Sequence, residues 1–127
     1  MLKLKRAYEP PAREDGRRFL VERLWPRGVK KSTLRLDAWL KDVAPSPELR
    51  QWFSHDPRKW TEFQKRYRSE LKQHPEACAP IVHAAQQGTV TLVYAARDRE
   101  RNSAVVLCDY LKKQLTAKQS SGRTAVA

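Results

Sequence analysis

Apolar and polar residues alternate at the start of the chain, where residues 2–5 read Leu-Lys-Leu-Lys. A period of two is typical of a strand with one face in water, so we predict a first strand over residues 2–7. Residues 18–24 and 89–95 instead contain unbroken apolar or β-branched runs. Such runs predict a second and a third strand that are covered on both faces.

Helix starts are marked by a capping residue followed by proline. Ser46-Pro47 and Asp56-Pro57 both place a capping side chain before a proline at the first helical position. After the second start, large side chains recur at steps of three and four residues, which predicts one buried helical face. These side chains are Trp60, Phe63, Tyr67 and Leu71.

Two more helices complete the pattern. One begins at Pro75 or Pro80 and is stopped by Gly88, and the other is capped by Asn102. The last helix repeats apolar residues on one face: Ala104, Leu107, Cys108, Leu111 and Leu115.

The order of these elements predicts an α/β fold. Strands two and three are separated by about sixty residues of mostly helix, a crossover that makes parallel neighbours. We expect a single domain over residues 1–116, with a small, mostly parallel sheet of three or more strands flanked by helices; the direction of the first strand is left open. Residues 117–127 contain almost no large apolar group, which predicts a disordered tail.

Charge narrows the choice of partners. The chain of 127 residues has 26 Lys and Arg against 14 Asp and Glu, a formal net charge of +12, and the excess lies in residues 1–35 and 97–127. This balance favours anionic partners, either small molecules or nucleic acid, although a basic solvated surface is the plainer interpretation. Neither a membrane-spanning run nor an apolar signal core is present. We therefore expect a cytoplasmic protein without membrane contact.

The chain has two cysteines, Cys78 and Cys108, and both lie on helical apolar patterns. We predict that they are reduced and buried. His74, Cys78 and His83 do not match the paired-ligand spacing of a zinc site. No nucleotide-binding glycine loop or nucleophile elbow is present. We expect neither a metal nor a cofactor.

A candidate site follows from the predicted sheet, since ligands of open parallel sheets gather beyond the carboxyl ends of the strands. Parallel alignment brings the loop after strand two to the same edge as the loop after strand three. If the first strand is also parallel, its end joins them. The substrate-binding candidates are Arg6, Tyr8, Arg23, Trp25, Arg27, Tyr94 and Asn102.

These residue types suit an anionic ligand. Guanidinium groups bind phosphate or carboxylate in a fork, and the helix start at Asn102 adds partial positive charge. Trp25 and Tyr94 offer a stacking plane, while Asp98 and His55 are the candidate catalytic acid or base. In the competing interpretation, the arginines pair with acids and Trp25 only covers the sheet edge. The acids considered for that pairing are Glu22, Asp37 and Asp98.

Many short motifs occur in a fixed order along the chain: Lys5-Arg6-Ala7-Tyr8, Asp15-Gly16, Arg23-Leu24-Trp25-Pro26-Arg27-Gly28-Val29, Trp39-Leu40-Lys41, Ala44-Pro45-Ser46, Glu48-Leu49-Arg50, His55-Asp56-Pro57, Trp60, Phe63, Tyr67, Glu70-Leu71, Thr91-Leu92 and Asn102. From residue 2 to about residue 115, this order resembles the YeaO-like branch of the bacterial domain-of-unknown-function family 488. Glu22 departs from the family pattern, which usually has Asp there. The resemblance implies a compact bacterial α/β protein and brings no established activity.

Three functions remain open on these observations. The first is a protein, enzymatic or not, that binds a phosphate-bearing or nucleotide-like molecule between the two loops. The second is a nucleic-acid-binding module that uses the basic surface, although no nucleic-acid-binding fingerprint is present. The third is a protein that acts through a protein partner.

Overall fold

The computed structural model describes the backbone of residues 1–126 and the side chains of residues 1–117. Over this range the chain forms four strands, β1 (Leu2–Arg6), β2 (Arg17–Leu20), β3 (Ala38–Trp39) and β4 (Val90–Tyr94). The α-helices are α1 (Lys31–Leu34), α2 (Pro47–Phe53), α3 (Trp60–Gln73), α4 (Pro75–Gln87) and α5 (Ser103–Val126). Short 3-10 helices cover Arg13–Asp15, Lys41–Val43 and Pro57–Lys59.

The four strands form one parallel sheet in the order β1-β4-β2-β3. Leu2 and Arg17 both pair with Val90, so the ends of β1, β2 and β4 lie at one level. The predicted α/β class is confirmed, and the first strand, whose direction the sequence leaves open, is parallel. Its carboxyl end therefore lies at the same edge as the other two.

The strand β3 falls in a stretch that the sequence pattern predicts as helical. Only two residues, Ala38 and Trp39, pair with β2. A strand this short contains no repeat of the period of two, so the hydrophobic pattern gives no signal for it.

The second strand ends at Leu20, four residues before the predicted end at Leu24. Val21 still donates a backbone hydrogen bond to Val93. Just after β4, the amide of Ala95 donates to the side chain of Glu22 and not to a backbone carbonyl of the β2 segment. The backbone hydrogen bonding between these two strands therefore ends at this point.

Helices α2 to α5 pack on one face of the sheet and form the main core, which includes Phe19, Leu92, Phe63, Tyr67 and Leu107. Because side chains alternate along a strand, the residues next to these point to the opposite face. There α1 covers a smaller cluster of Ala7, Leu20, Leu34 and Val93. The sheet is thus covered on both faces, as its apolar strands require.

The predicted helix starts are confirmed. The Ser46 hydroxyl accepts a hydrogen bond from the Leu49 amide at the start of α2, and Asp56 accepts one from Arg58 before α3. Pro75 begins α4 and Pro80 lies inside it, while Asn102 caps α5 by accepting from Val105. Cys78 and Cys108 are buried and unbridged.

No helix among the described residues is both long enough and apolar enough to cross a bilayer. The segment predicted as a disordered tail, residues 117–127, lies almost entirely beyond the side chains that the structure describes. The division into a domain and a tail therefore stays a prediction.

Candidate functional site

A cavity of about 430 Å³ opens at the carboxyl edge of the sheet. We call it the strand-edge cavity. Its walls come from the segments that follow β1, β2, β3 and β4, together with α2 and the start of α5. The lining residues include Tyr8, residues 22–27, Ala44, Pro45, Arg50, Phe53, His55, Phe63, Ala95, Ala96, Asn102 and Ser103.

The loop after β2 contributes two arginines to this cavity, Arg23 and Arg27. Arg23 is half-buried; its Nε donates to the Pro45 carbonyl at 3.0 Å and its Nη2 to the Ala44 carbonyl at 3.5 Å. The side chain of Arg27 is exposed. Among the described residues neither guanidinium forms an ion pair. In the described residues, these two arginines therefore do not pair with the nearby acids that the competing interpretation names.

Trp25 lines the cavity and also fastens its own loop. The indole N–H donates to the Val29 carbonyl at 2.6 Å. The ring meets Trp39 edge-on, with the two ring centroids 5.3 Å apart. Trp25 thus covers the sheet edge and presents apolar surface to the cavity at the same time.

The end of β1 brings Tyr8 to the cavity mouth but leaves Arg6 outside the lining. The Tyr8 hydroxyl donates to the Arg27 carbonyl at 3.0 Å, which ties the two loops together. Arg6 lies over the Tyr8 ring, 5.1 Å from its centroid, and its Nε donates to the Ala96 carbonyl at 2.9 Å. Arg6 therefore contacts two residues of the lining, Tyr8 and Ala96, without lining the cavity itself.

Tyr94 and Asn102 are used mainly by the fold. Tyr94 is 3% exposed in the main core and does not line the cavity. Asn102 does line it, but its Oδ1 accepts from Val105 and its Nδ2 donates to the Asp98 carbonyl. The side-chain amide is thus occupied in capping α5, and what faces the cavity here is the start of that helix.

The candidate acid or base Asp98 lies outside the strand-edge cavity. Its Oδ1 accepts from the backbone amides of Glu100 and Arg101 at 2.9 Å each. These amides lower the pKa of Asp98, chiefly through the bond from Arg101. Asp98 meets His55 only in a neighbouring hollow of about 310 Å³. His55 lines both spaces, whereas Asp98 lines only the hollow. The two predicted catalytic residues therefore do not meet in the strand-edge cavity.

Glu22 is a lining residue that the candidate set omitted. It is half-buried, and its Oε1 accepts from the Ala95 amide at 3.1 Å. Burial raises the pKa of Glu22, and the Ala95 amide, Arg50 and His55 oppose that rise. The cavity therefore holds a carboxylate that is partly withdrawn from water.

Arg50, Phe53 and Phe63 also line the cavity, although the sequence did not predict them as site residues. Arg50, on α2, is exposed and forms no ion pair among the described residues. Phe53 and Phe63 stack with centroids 4.3 Å apart and form an apolar part of the lining. Within the described part of the chain, no group of three or more His, Cys, Asp or Glu side chains is arranged to hold a metal ion.

Comparison with known proteins identifies the family. A family model described as "Inactive DUF488-N3 subclade" matches residues 1–126. The chain belongs to this family. The resemblance to YeaO-like members of the domain-of-unknown-function family 488 is thereby confirmed.

Curated relatives of this DUF488 chain match over most of its length. "Uncharacterized protein YeaO" of Escherichia coli (strain K12) is 40% identical over 111 residues, 87% of this chain and 96% of that protein. An uncharacterized protein of Mycobacterium tuberculosis (strain ATCC 25618 / H37Rv) is 41% identical over 110 residues, 87% of this chain and 92% of that protein. No solved structure shows significant similarity to the chain.

Glu22 carried one sequence signal that pointed to the site. It is the first charged residue after the apolar run of β2, at the strand end where ligands of parallel sheets bind. Arg50 carried no such signal, because it lies on a helix that is far from the strand ends in sequence. Its place in this DUF488 site follows only from the packing of α2 against the sheet.

Proposed function

We propose that this protein binds an anionic small molecule, phosphate-bearing or nucleotide-like, in the strand-edge cavity. One observation carries the proposal. Three arginines, Arg23, Arg27 and Arg50, line a single concave space, and none forms an ion pair with an acid among the described residues. Guanidinium groups that are not neutralised by the protein are suited to bind phosphate or carboxylate oxygens.

The rest of the lining suits a molecule larger than a phosphate ion. Trp25, Phe53 and Phe63 give apolar surface, and the cavity volume of about 430 Å³ falls within the usual range for small-molecule sites. The start of α5 at Ser103 adds backbone amides and the positive end of a helix dipole. An anionic group attached to a flat or apolar ring would match both parts of the lining.

We further propose that the ligand is bound without being chemically changed. Of the two predicted catalytic residues, Asp98 lies outside the cavity that His55 lines, and backbone amides hold Asp98 ionised. The description of the matching family as inactive supports the same conclusion. The proposal also places the protein in the cytoplasm, where the unbridged Cys78 and Cys108 would stay reduced.

The test is a thermal-shift screen with inorganic phosphate, ribose 5-phosphate and nucleoside 5′-phosphates, followed by calorimetry on the compounds that stabilise the protein. The cavity variant is the double substitution Arg27→Ala, Arg50→Ala. Both side chains are exposed and form no side-chain hydrogen bond among the described residues, so folding should be unaffected. We expect the affinity for the stabilising compound to fall about tenfold or more.

The matched control is Arg13→Ala, Arg17→Ala, which removes two exposed arginines at the amino edge of the sheet. It changes the net charge equally and should leave binding unchanged. Failure of every compound to stabilise the protein would overturn the proposal. Equal losses in both double variants, with binding that falls steeply with salt, would favour the nucleic-acid alternative. Recovery of the bound compound unchanged, by chromatography, tests the absence of turnover.

A further inference from the structure

The side chain of Glu22 has one oxygen that the protein does not use. Its Oε1 accepts from the Ala95 amide, whereas Oε2 accepts no hydrogen bond from the described residues. Among those residues, every fully buried side-chain nitrogen or oxygen has a partner. Because Glu22 lines the strand-edge cavity, Oε2 is therefore reached from that cavity.

The cations around this carboxylate stay at a distance. Arg50 and His55 act on Glu22 through space, but no ion pair within the described part of the chain includes Glu22. Arg23, the next residue, donates to the carbonyls of Ala44 and Pro45 and not to Glu22. A carboxylate kept only for stability would be expected to contact one of these cations. The separation instead leaves room between the acid and the arginines.

The charges of the lining restrict which ligand groups can bind between Glu22 and the arginines. An anionic group is repelled by Glu22 and belongs at the arginines, while a cationic ligand is disfavoured by three arginines on the same cavity. A neutral group that donates hydrogen bonds meets Oε2 without repulsion from either the carboxylate or the arginines. Among the aromatic residues of the lining, Trp25 is only half-buried and offers ring surface for a flat group. Hydroxyl groups between such a flat group and a phosphate are those of a sugar.

We propose that Glu22 determines specificity by accepting hydrogen bonds from the sugar hydroxyl groups of a phosphate-bearing ligand, an inference that rests on the proposed function. Acidic side chains bind ribose hydroxyls in this way at the strand ends of other α/β folds. Burial raises the pKa of Glu22, so the ionised group costs stability, as is common at functional sites. The ligand class is then a nucleotide or a sugar phosphate.

The experiment compares nucleoside 5′-monophosphates with their 2′,3′-dideoxy analogues by calorimetry, in the unaltered protein and in Glu22→Gln. The substitution keeps the Oε1 acceptor for Ala95 and removes the charge. We expect the unaltered protein to prefer the ribonucleotide about tenfold or more, since hydrogen bonds to a charged acceptor are strong. In Glu22→Gln that preference should largely disappear. The control, Glu14→Gln, changes an exposed glutamate outside the cavity and should keep the preference.

The outcomes separate this inference from the proposed function. If ribonucleotides and dideoxynucleotides bind the unaltered protein equally well, the role of Glu22 is overturned while anion binding stands. A preference that survives in Glu22→Gln overturns it as well. If no phosphate-bearing compound binds at all, the proposed function itself is wrong. The comparison within the unaltered protein does not depend on how any variant folds.

Discussion

Two carboxylates at the carboxyl edge of the sheet have opposite surroundings. Glu22 is half-buried in the strand-edge cavity, where loss of water raises its pKa. Asp98 lies on an exposed loop, where backbone amides of Arg101 and Glu100 lower its pKa. Asp98 is therefore held in its loop as an ion, whereas Glu22 keeps an oxygen that is open to the cavity. Asp98 accepts from two backbone amides and Glu22 from one, and this difference leaves Glu22 an oxygen that can accept from a ligand.

The buried charge of Glu22 predicts a pH-dependent effect of Glu22→Gln. A carboxyl whose pKa is raised by folding stabilises the protein below its unfolded pKa and loses that contribution as pH rises through the folded pKa. Glutamine carries no charge to bury. We expect Glu22→Gln to be more stable than the unaltered protein at pH 7 and to lose this advantage below about pH 4.5, the ordinary value for Glu.

Chemical denaturation at several pH values measures this difference. The charged and titratable groups that act on Glu22 are Arg50 and His55, with Arg23 on the same cavity and Tyr67 in the core. All of them are present in both proteins, so their own titration is largely shared. If Glu22→Gln is less stable than the unaltered protein at pH 7, the surrounding groups fully compensate the cost of burying the Glu22 charge.

At the scale of elements, the segment between β3 and α2 contributes to one wall of the cavity, and hydrogen bonds hold its last three residues, Ala44, Pro45 and Ser46. Arg23 holds the carbonyls of Ala44 and Pro45. Ser46 caps α2, and its amide and hydroxyl both donate to the Glu70 carboxylate on α3. The wall therefore depends on a helix cap as well as on the sheet.

Ser46→Ala should destabilise the protein by about 1–2 kcal/mol, because it removes a helix cap and a hydrogen bond to a carboxylate. The Ser46 hydroxyl lies 3.1 Å from the Leu49 amide and 2.6 Å from Glu70 Oε2. The matched control is Ser69→Ala on the exposed side of α3, which should be neutral or slightly stabilising. Urea denaturation compares the two. Equal stabilities would show that Ser46 is not an effective cap.

At the scale of the whole molecule, both thiols are enclosed by the helices that cover one face of the sheet. Cys78 is 2% exposed and Cys108 is 4% exposed, and both belong to the main core. Burial raises the pKa of Cys78 to about 11 and that of Cys108 above its usual value. Near neutral pH, the raised pKa leaves each thiol with a smaller ionised fraction than an ordinary cysteine.

We therefore expect both cysteines to resist a disulfide reagent such as dithiobis(nitrobenzoate) at pH 8 in the folded protein. Both should react fully once guanidinium unfolds the chain. The absorbance of the released thiolate measures the number of labelled cysteines against time. Rapid labelling of the native protein would mean that α4 and α5 separate from the core more easily than their burial indicates.

Short-range signals account for most of what could be predicted of the fold. The caps at Ser46, Asp56 and Asn102 and the apolar runs of three strands involve residues that are close in sequence. The two-residue β3 could not be predicted, since its pairing with β2 is a long-range contact without a repeating pattern.

The candidate site was predicted in part for the same reason. Parallel strands bring their carboxyl ends together, so the meeting of Arg23, Trp25 and Arg27 with the loop after β4 could be predicted from strand order. The contribution of Tyr8 also required the direction of β1, which the sequence left open. The amino-acid sequence by itself thus determined that the loops after β2 and β4 meet. Only the tertiary structure decided which side chains face the cavity. Glu22 reaches the amide of Ala95, 73 residues away, whereas Asp98 turns back on its own loop. Such choices depend on which donors and apolar surfaces surround a side chain after packing, and residues distant in sequence supply them.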